Sequence, residues 1–283
     1  MTMPWKDTLH VVMGALGFLW QVVLYLLFRR GMLASSSTPN TIFMRTTSLD
    51  EAMTVQARDK AGSDNLDASL PGNVPDTELM VIPLAPPGIP VRSGSFFTWY
   101  IALVQPQSRG RVELASSDAE THPRIVYPLL SDRRDVVAAR KAVRFAMHLS
   151  DEFSASGYPH PTPLVFAPGM DLAYLDSLFA GGRINKPESR KLDWRTVSDE
   201  DIDQYVRRVC GTCLHFTSTC RMSNSPEDGV VDQRLRVHGF ANLRIADASV
   251  LPKITSAHTM APVVMIAERC ADFLREAYKD ERE

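Results

Sequence analysis

The last quarter of the chain sets the tightest limits on its fold. From His215 to Ala271, short runs of small and β-branched residues alternate with turn residues, and helical periodicity takes over only after Pro262. His215 precedes a small-residue turn, His215-Phe-Thr-Ser-Thr-Cys-Arg-Met222. Val230-Val-Asp-Gln-Arg-Leu-Arg-Val-His-Gly239 and Asn242-Leu-Arg-Ile-Ala-Asp-Ala-Ser-Val-Leu-Pro252 follow, and then a second histidine in Ser256-Ala-His-Thr-Met-Ala-Pro262. Leu243 to Ala246 predicts a short strand that ends at Asp247-Ala-Ser249. Residues 259–278 predict a helix. Pro262 suits its first turn, where a missing N–H costs nothing, and Val263, Ala267, Cys270 and Leu274 make an inward stripe.

Upstream, periodicity outlines a mixed architecture. Residues 7–30 read as one apolar helix, and 33–78 as loops rich in Ser, Asp, Gly and Pro. Strands are predicted at Leu79–Ile82, Phe96–Val104, Arg111–Leu114 and Arg124–Tyr127, with turn chemistry between the last two. Asp132 to Leu149 predicts an amphipathic helix through Val136, Ala139, Val143, Ala146 and Met147. Residues 154–170 read as a connection. A further helix begins at Ser198, which can cap it, with Glu200 and Asp201 favouring its dipole. The fold class expected is α+β, with residues 75–150 forming an antiparallel sheet that has helices on one side.

Composition narrows the function. A net charge of −2 without a basic run argues against a nucleic-acid partner. Four cysteines in 283 residues are no disulfide framework. Cys210-Gly-Thr-Cys213 with His215 and Cys220 leaves a single residue between Cys213 and His215, cramped for a tetrahedral metal, so no metal site is assigned and the thiols read as reduced. Val11 to Phe28 is uncharged and closed by Arg29-Arg30, at the lower limit for a membrane span. Gly14, Gly17 and Gln21 weigh against a span, and a helix buried in a larger core is expected instead. No standard signal peptide and no Asn-x-Ser/Thr acceptor occur, which favours a cytoplasmic setting.

The order of the C-terminal segments closely resembles the signature of the glucose–methanol–choline (GMC) family of FAD-dependent alcohol oxidases and dehydrogenases, with phrasing nearest to fungal aryl-alcohol and choline dehydrogenase-like members. Pro106-Gln-Ser-Arg-Gly-Arg-Val-Glu-Leu-Ala-Ser-Ser-Asp118 through Pro123-Arg-Ile also resembles that family, there part of the substrate-domain sheet. The resemblance implies residues 1–205 as a substrate-binding domain with an N-terminal apolar helix. It implies 206–283 as a segment returning to a Rossmann-like FAD domain. It makes His215 and His258 the catalytic pair, one removing the hydroxyl proton and one orienting the substrate oxygen. Asp247 and Ala248 would lie against FAD, and Thr259 and Met260 would open the helix facing the flavin ring. Asp247 is expected to orient backbone or a cofactor hydroxyl, since a carboxylate would repel pyrophosphate. Ser218 stands where glycine is common in the family.

One departure matters. Family members open with a strand, a G-x-G-x-x-G turn and a helix that hold the ADP part of FAD. No glycine here makes that pattern, so the chain reads as a C-terminal half whose partner would be a missing N-terminal FAD-binding half. The expected function is oxidation of the CH–OH group of a small-molecule alcohol. The alternatives are a non-catalytic remnant that binds no flavin, and a membrane-anchored or partner-binding module using residues 11–28. His238, His10, His122, His148 and His160 read as structural or surface residues, and Arg221 and Arg236 as ion-pair or carbonyl partners.

Overall fold

A computed structural model describes residues 1, 8–12, 14–34, 40–58, 62–67, 69–85, 95–160, 164–182 and 192–280. The chain divides into two compact units, one of Met1–Leu103 with Arg133–Cys210, the other of Val104–Asp132 with Gly211–Glu283. The sequence reading placed a boundary at 205/206. The last junction here falls at 210/211, and residues 104–132 group with the C-terminal segment.

In the first unit, β1 (Thr41–Met44), β2 (Thr77–Ile82) and β3 (Thr98–Leu103) form an antiparallel sheet in the order β1-β2-β3. Met80 of the central strand lies opposite Thr41 on one side and Tyr100 on the other. β1 falls within the span read as loops, because four residues carry too little alternation to announce a strand. Helix α2 (Arg133–Ala155) buries Ala139, Ala142, Val143, Phe145, Ala146 and Met147. All of these but Ala139 join Met44, Leu49, Leu79, Trp194 and Ile202 in one core. The Trp99 indole N–H donates to Ser150 Oγ at 2.9 Å, which ties β3 to α2.

Two shorter helices complete this unit. α3 (Leu172–Phe179) is capped by Asp171, whose side chain accepts from the Ala173 N–H, and buries Leu175 and Leu178. α4 (Asp199–Val209) opens with a reciprocal capping box between Ser198 and Asp201. Arg140 on α2 forks onto Asp203 of α4 with two bonds of 2.7 Å and reaches Asp199 at 2.8 Å. Arg144 adds a bond of 2.7 Å to Asp199.

Helix α1 (Ala15–Phe28) corrects an expectation. None of its residues is buried, and Leu16 and Leu27 are 85% and 71% exposed. The helix is apolar all round, so no face selects a partner within its unit. Its neighbours are the flanking turns Leu9–Val12 and Met32–Ala34. At about 21 Å it falls well short of a bilayer core of roughly 30 Å. Among the described residues no helix is long and apolar enough to cross a membrane.

The second unit holds a separate ribbon, β4 (Arg111–Glu113) paired antiparallel with β5 (Arg124–Val126). The single sheet expected over residues 75–150 is therefore divided at Val104. Pro106, which has no N–H to donate to a ladder, follows β3 closely. A Cβ on Gly110 would meet the Val126 carbonyl oxygen at 2.2 Å, so the close approach of the two strands requires glycine there. Helix α5 (Met260–Asp280) buries Ile266, Cys270 and Phe273 against Val231, Leu235 and Val250. The expected stripe is rotated: Cys270 belongs to it, but Ala267 and Leu274 face solvent. The strand expected at Leu243–Ala246 is reduced to a single bridge, Arg236 with Arg244.

Candidate active site

The segment carrying His215 is anchored from below. Ser218, Cys220 and Met222 donate their N–H groups to the carbonyls of Ala248, Ser249 and Val250 at 3.3, 3.0 and 2.9 Å. That receiving segment is a short 3-10 turn, Ala248–Val250, fixed by Asp247. The Asp247 carboxylate accepts from the Ser249 N–H at 2.8 Å and from the Ser249 hydroxyl at 2.5 Å. Asp247 thus orients backbone, and Ala248 supports the histidine segment through its carbonyl.

Two residues flanking His215 adopt left-handed backbone, Leu214 at φ 60 and Ser218 at φ 71. The second is the position where the sequence carries serine in place of a family glycine. Left-handed backbone favours glycine because no Cβ crowds the carbonyl.

His258 lies just before α5. The loop leading to it is braced by Gln105, whose side-chain amide donates to the Ile254 carbonyl at 3.2 Å. Thr255 donates to the Ala257 carbonyl at 3.1 Å. Gln105 had no signal in the sequence, since a glutamine after a strand has no periodic or motif context. Thr259 supplies the first helical acceptor, its carbonyl taking the Val263 N–H at 3.0 Å. Met260 starts the helix and is 78% exposed. The first turn of α5 carries no acidic side chain, so its positive end is not neutralised from within.

Although they are 43 positions apart in the chain, the two histidines meet. His215 Nε2 lies 2.7 Å from His258 Nδ1, with ring centroids 5.0 Å apart and the rings nearly perpendicular at 87°. A bond between two imidazole nitrogens needs a proton on one and a lone pair on the other. Of the other histidines, His238 has its Nε2 buried with no hydrogen-bond partner among the described residues, and His148 packs on Trp194 at 4.9 Å. Phe216, next to His215, meets Tyr127 edge to face at 5.3 Å. Among the described residues no group of three or more His, Cys, Asp or Glu could hold a metal, and the four cysteines form no disulfide.

This arrangement can be set beside known proteins. Residues 106–267 match the model of the C-terminal domain of GMC oxidoreductases. The dehydrogenase str4 of Strobilurus tenacellus is 29% identical over 95% of this chain and 42% of its own length. An oxygen-dependent choline dehydrogenase of Pseudomonas savastanoi is 30% identical over 63% of this chain and 27% of its own. A formate oxidase variant from Aspergillus oryzae superposes with a TM-score of 0.67 at 27% identity, covering 98% of this chain and 44% of the oxidase. A fungal aryl-alcohol oxidase, at 24% identity and a TM-score of 0.55, shares the fold over 88% of this chain and 40% of its own. The chain thus spans less than half the length of each of these relatives.

Proposed function

Because the chain belongs to the GMC oxidoreductase family, we propose that it carries the proton-handling part of a FAD-dependent oxidation of an alcohol CH–OH group. The observation that supports this most is the direct contact between His215 and His258. Imidazole suits the task because its ordinary pKa lies near working pH. In this reading His215 removes the hydroxyl proton and His258 holds the substrate oxygen. Each ring nitrogen offers one lone pair or one proton. The bond between the rings must therefore give way when the oxygen enters, and the oxygen then bridges the two nitrogens. The direct contact is a closed resting form of a site that a hydroxyl opens.

The residues near the pair fit one end of a flavin. The start of α5, with its uncompensated N–H groups, suits developing negative charge on a reduced ring, and Thr259 and Met260 would stand nearest. Asp247 and Ala248 would line the same cofactor through the turn they build. FAD, when bound, supplies the acceptor for the hydride leaving the substrate carbon. The ADP end needs a G-x-G-x-x-G turn, which this sequence lacks; a polypeptide segment that carries one would complete the cofactor site.

The test is reconstitution with a separately expressed polypeptide containing that turn. Yellow colour and turnover of a primary alcohol are expected. In the reconstituted complex His215→Ala should lower turnover by roughly two to four powers of ten. Turnover unchanged by that substitution would remove the role given to His215. Failure of the complex to bind flavin at all would favour a chain that keeps the histidines without the chemistry.

A further inference from the structure

At the C-terminal end of α5, the second unit holds a cavity of about 460 Å³ lined by Arg234, Arg236, Arg244, Glu276, Ala277 and Lys279. Four cationic side chains share it with one carboxylate. Arg234 donates to Glu276 at 2.7 Å, and Arg236 is held by Asp232 at 2.8 Å. Arg244 and Lys279 make no ion pair among the described residues. The Arg244 Nε is closed off from solvent and finds no hydrogen-bond acceptor among them. A buried N–H without an acceptor costs free energy, while Arg244 as a whole is only half-buried and its charge stays open to an anion.

We propose that this cavity binds a small molecule bearing a multiply charged phosphate group. The two paired guanidiniums are fixed in place by their carboxylates and still keep unused N–H groups, while Arg244 and Lys279 supply the excess charge. Glu276 sits on the same wall and opposes a lone monoanion. A ligand with two or more charges engages Arg244 and Lys279 together and overcomes that opposition. Guanidinium forks match phosphate oxygens in pairs, which ammonium groups alone do not. The volume exceeds that of a single ion and admits a diphosphate. Neither His215 nor His258 lines the cavity, so the proposal stands apart from the flavin chemistry.

Calorimetric titration of the intact chain with inorganic pyrophosphate at low salt tests it. Saturable binding is expected that weakens as salt rises. Arg244→Met and Lys279→Met should each weaken it at least about tenfold, with unfolding midpoints measured beside them; Lys279 is the safer probe because it lies near the exposed end of α5. A parallel arm titrates hexaglutamate. No binding of pyrophosphate, or equal binding by wild type and the folded Lys279→Met variant, overturns the proposal. Tighter binding of hexaglutamate than of pyrophosphate also overturns it, and assigns the cluster to a carboxylate-rich polypeptide instead.

Discussion

Ser218 shows how one backbone angle organises the candidate site. Its φ of 71 is left-handed, its N–H is pinned to Ala248, and it stands three residues after His215. A Cβ in that region costs roughly 1–2 kcal/mol, which glycine avoids while losing more chain entropy on folding. Ser218→Gly should therefore raise stability by about 0.5–1 kcal/mol, and Ser218→Val should lower it by roughly 1–2 kcal/mol. Urea unfolding midpoints decide this, and a stabilising valine would refute it. The histidine pair was legible because its flanking segments carry a family pattern. That the two rings approach within reach of one small molecule follows from the same pattern, and they do; only the direct 2.7 Å bond between them was not legible, since no spacing rule brings residues 43 positions apart into hydrogen-bond range. Gln105 was illegible for the same reason: its bond to Ile254 spans 149 positions.

At the scale of elements, legibility followed the strength of the local signal. α4 was readable from Ser198 because a cap and its reciprocal carboxylate are sequence-local. β1 and α3 were missed, being four and eight residues long. The stripe on α5 was read one residue out of place. Phe273 is buried, with Arg234 and Arg269 over its ring at 4.7 and 4.4 Å, whereas Leu274 is exposed. Phe273→Ala should cost about 3–4 kcal/mol and Leu274→Ala less than about 1. Equal effects in thermal unfolding would return Leu274 to the core.

The clamp between α2 and α4 makes a second prediction at this scale. The hydrogen bonds from Arg140 hold the Asp203 carboxyl below its ordinary value of 3.8. A lowered folded-state pKa stabilises at pH above the unfolded value, and that stabilisation is lost as pH falls through the folded one. The contribution is therefore complete at neutrality and begins to be lost below about pH 4. Asp203→Asn should cost roughly 2–3 kcal/mol at pH 7, because Arg140 loses its buried partner. The difference between variant and wild type should shrink in acid. Unfolding measured at pH 7 and pH 3 checks the sign; a gap that widens at pH 3 contradicts it.

Across the whole molecule, each unit leaves apolar surface in water. In the first it is α1. In the second it is a ridge along α5, where Met260, Val264, Leu274 and Tyr278 recur at helical spacing, all exposed. Exposed apolar ridges of this kind are candidate faces for a partner chain. The chain also covers only 44% of the formate oxidase and 42% of the fungal dehydrogenase. On the proposed reading its sequence offers the histidines and a helix start for one end of a flavin, and no glycine-rich turn for the other. Half of a dinucleotide site leaves most binding contacts unmade while ordering the same ligand. The 283-residue chain alone should therefore bind FAD more weakly than about 0.1 mM and should bind a hydrophobic dye such as ANS strongly. Adding a polypeptide with G-x-G-x-x-G should reverse both properties together, tightening FAD and lowering dye fluorescence, and the amides of α1 should gain protection from hydrogen exchange. Micromolar FAD affinity in the isolated chain would show that the ADP end is held by residues other than a glycine-rich turn. Dye fluorescence and α1 exchange unchanged in a complex that binds FAD would show that α1 and the α5 ridge have another occupant.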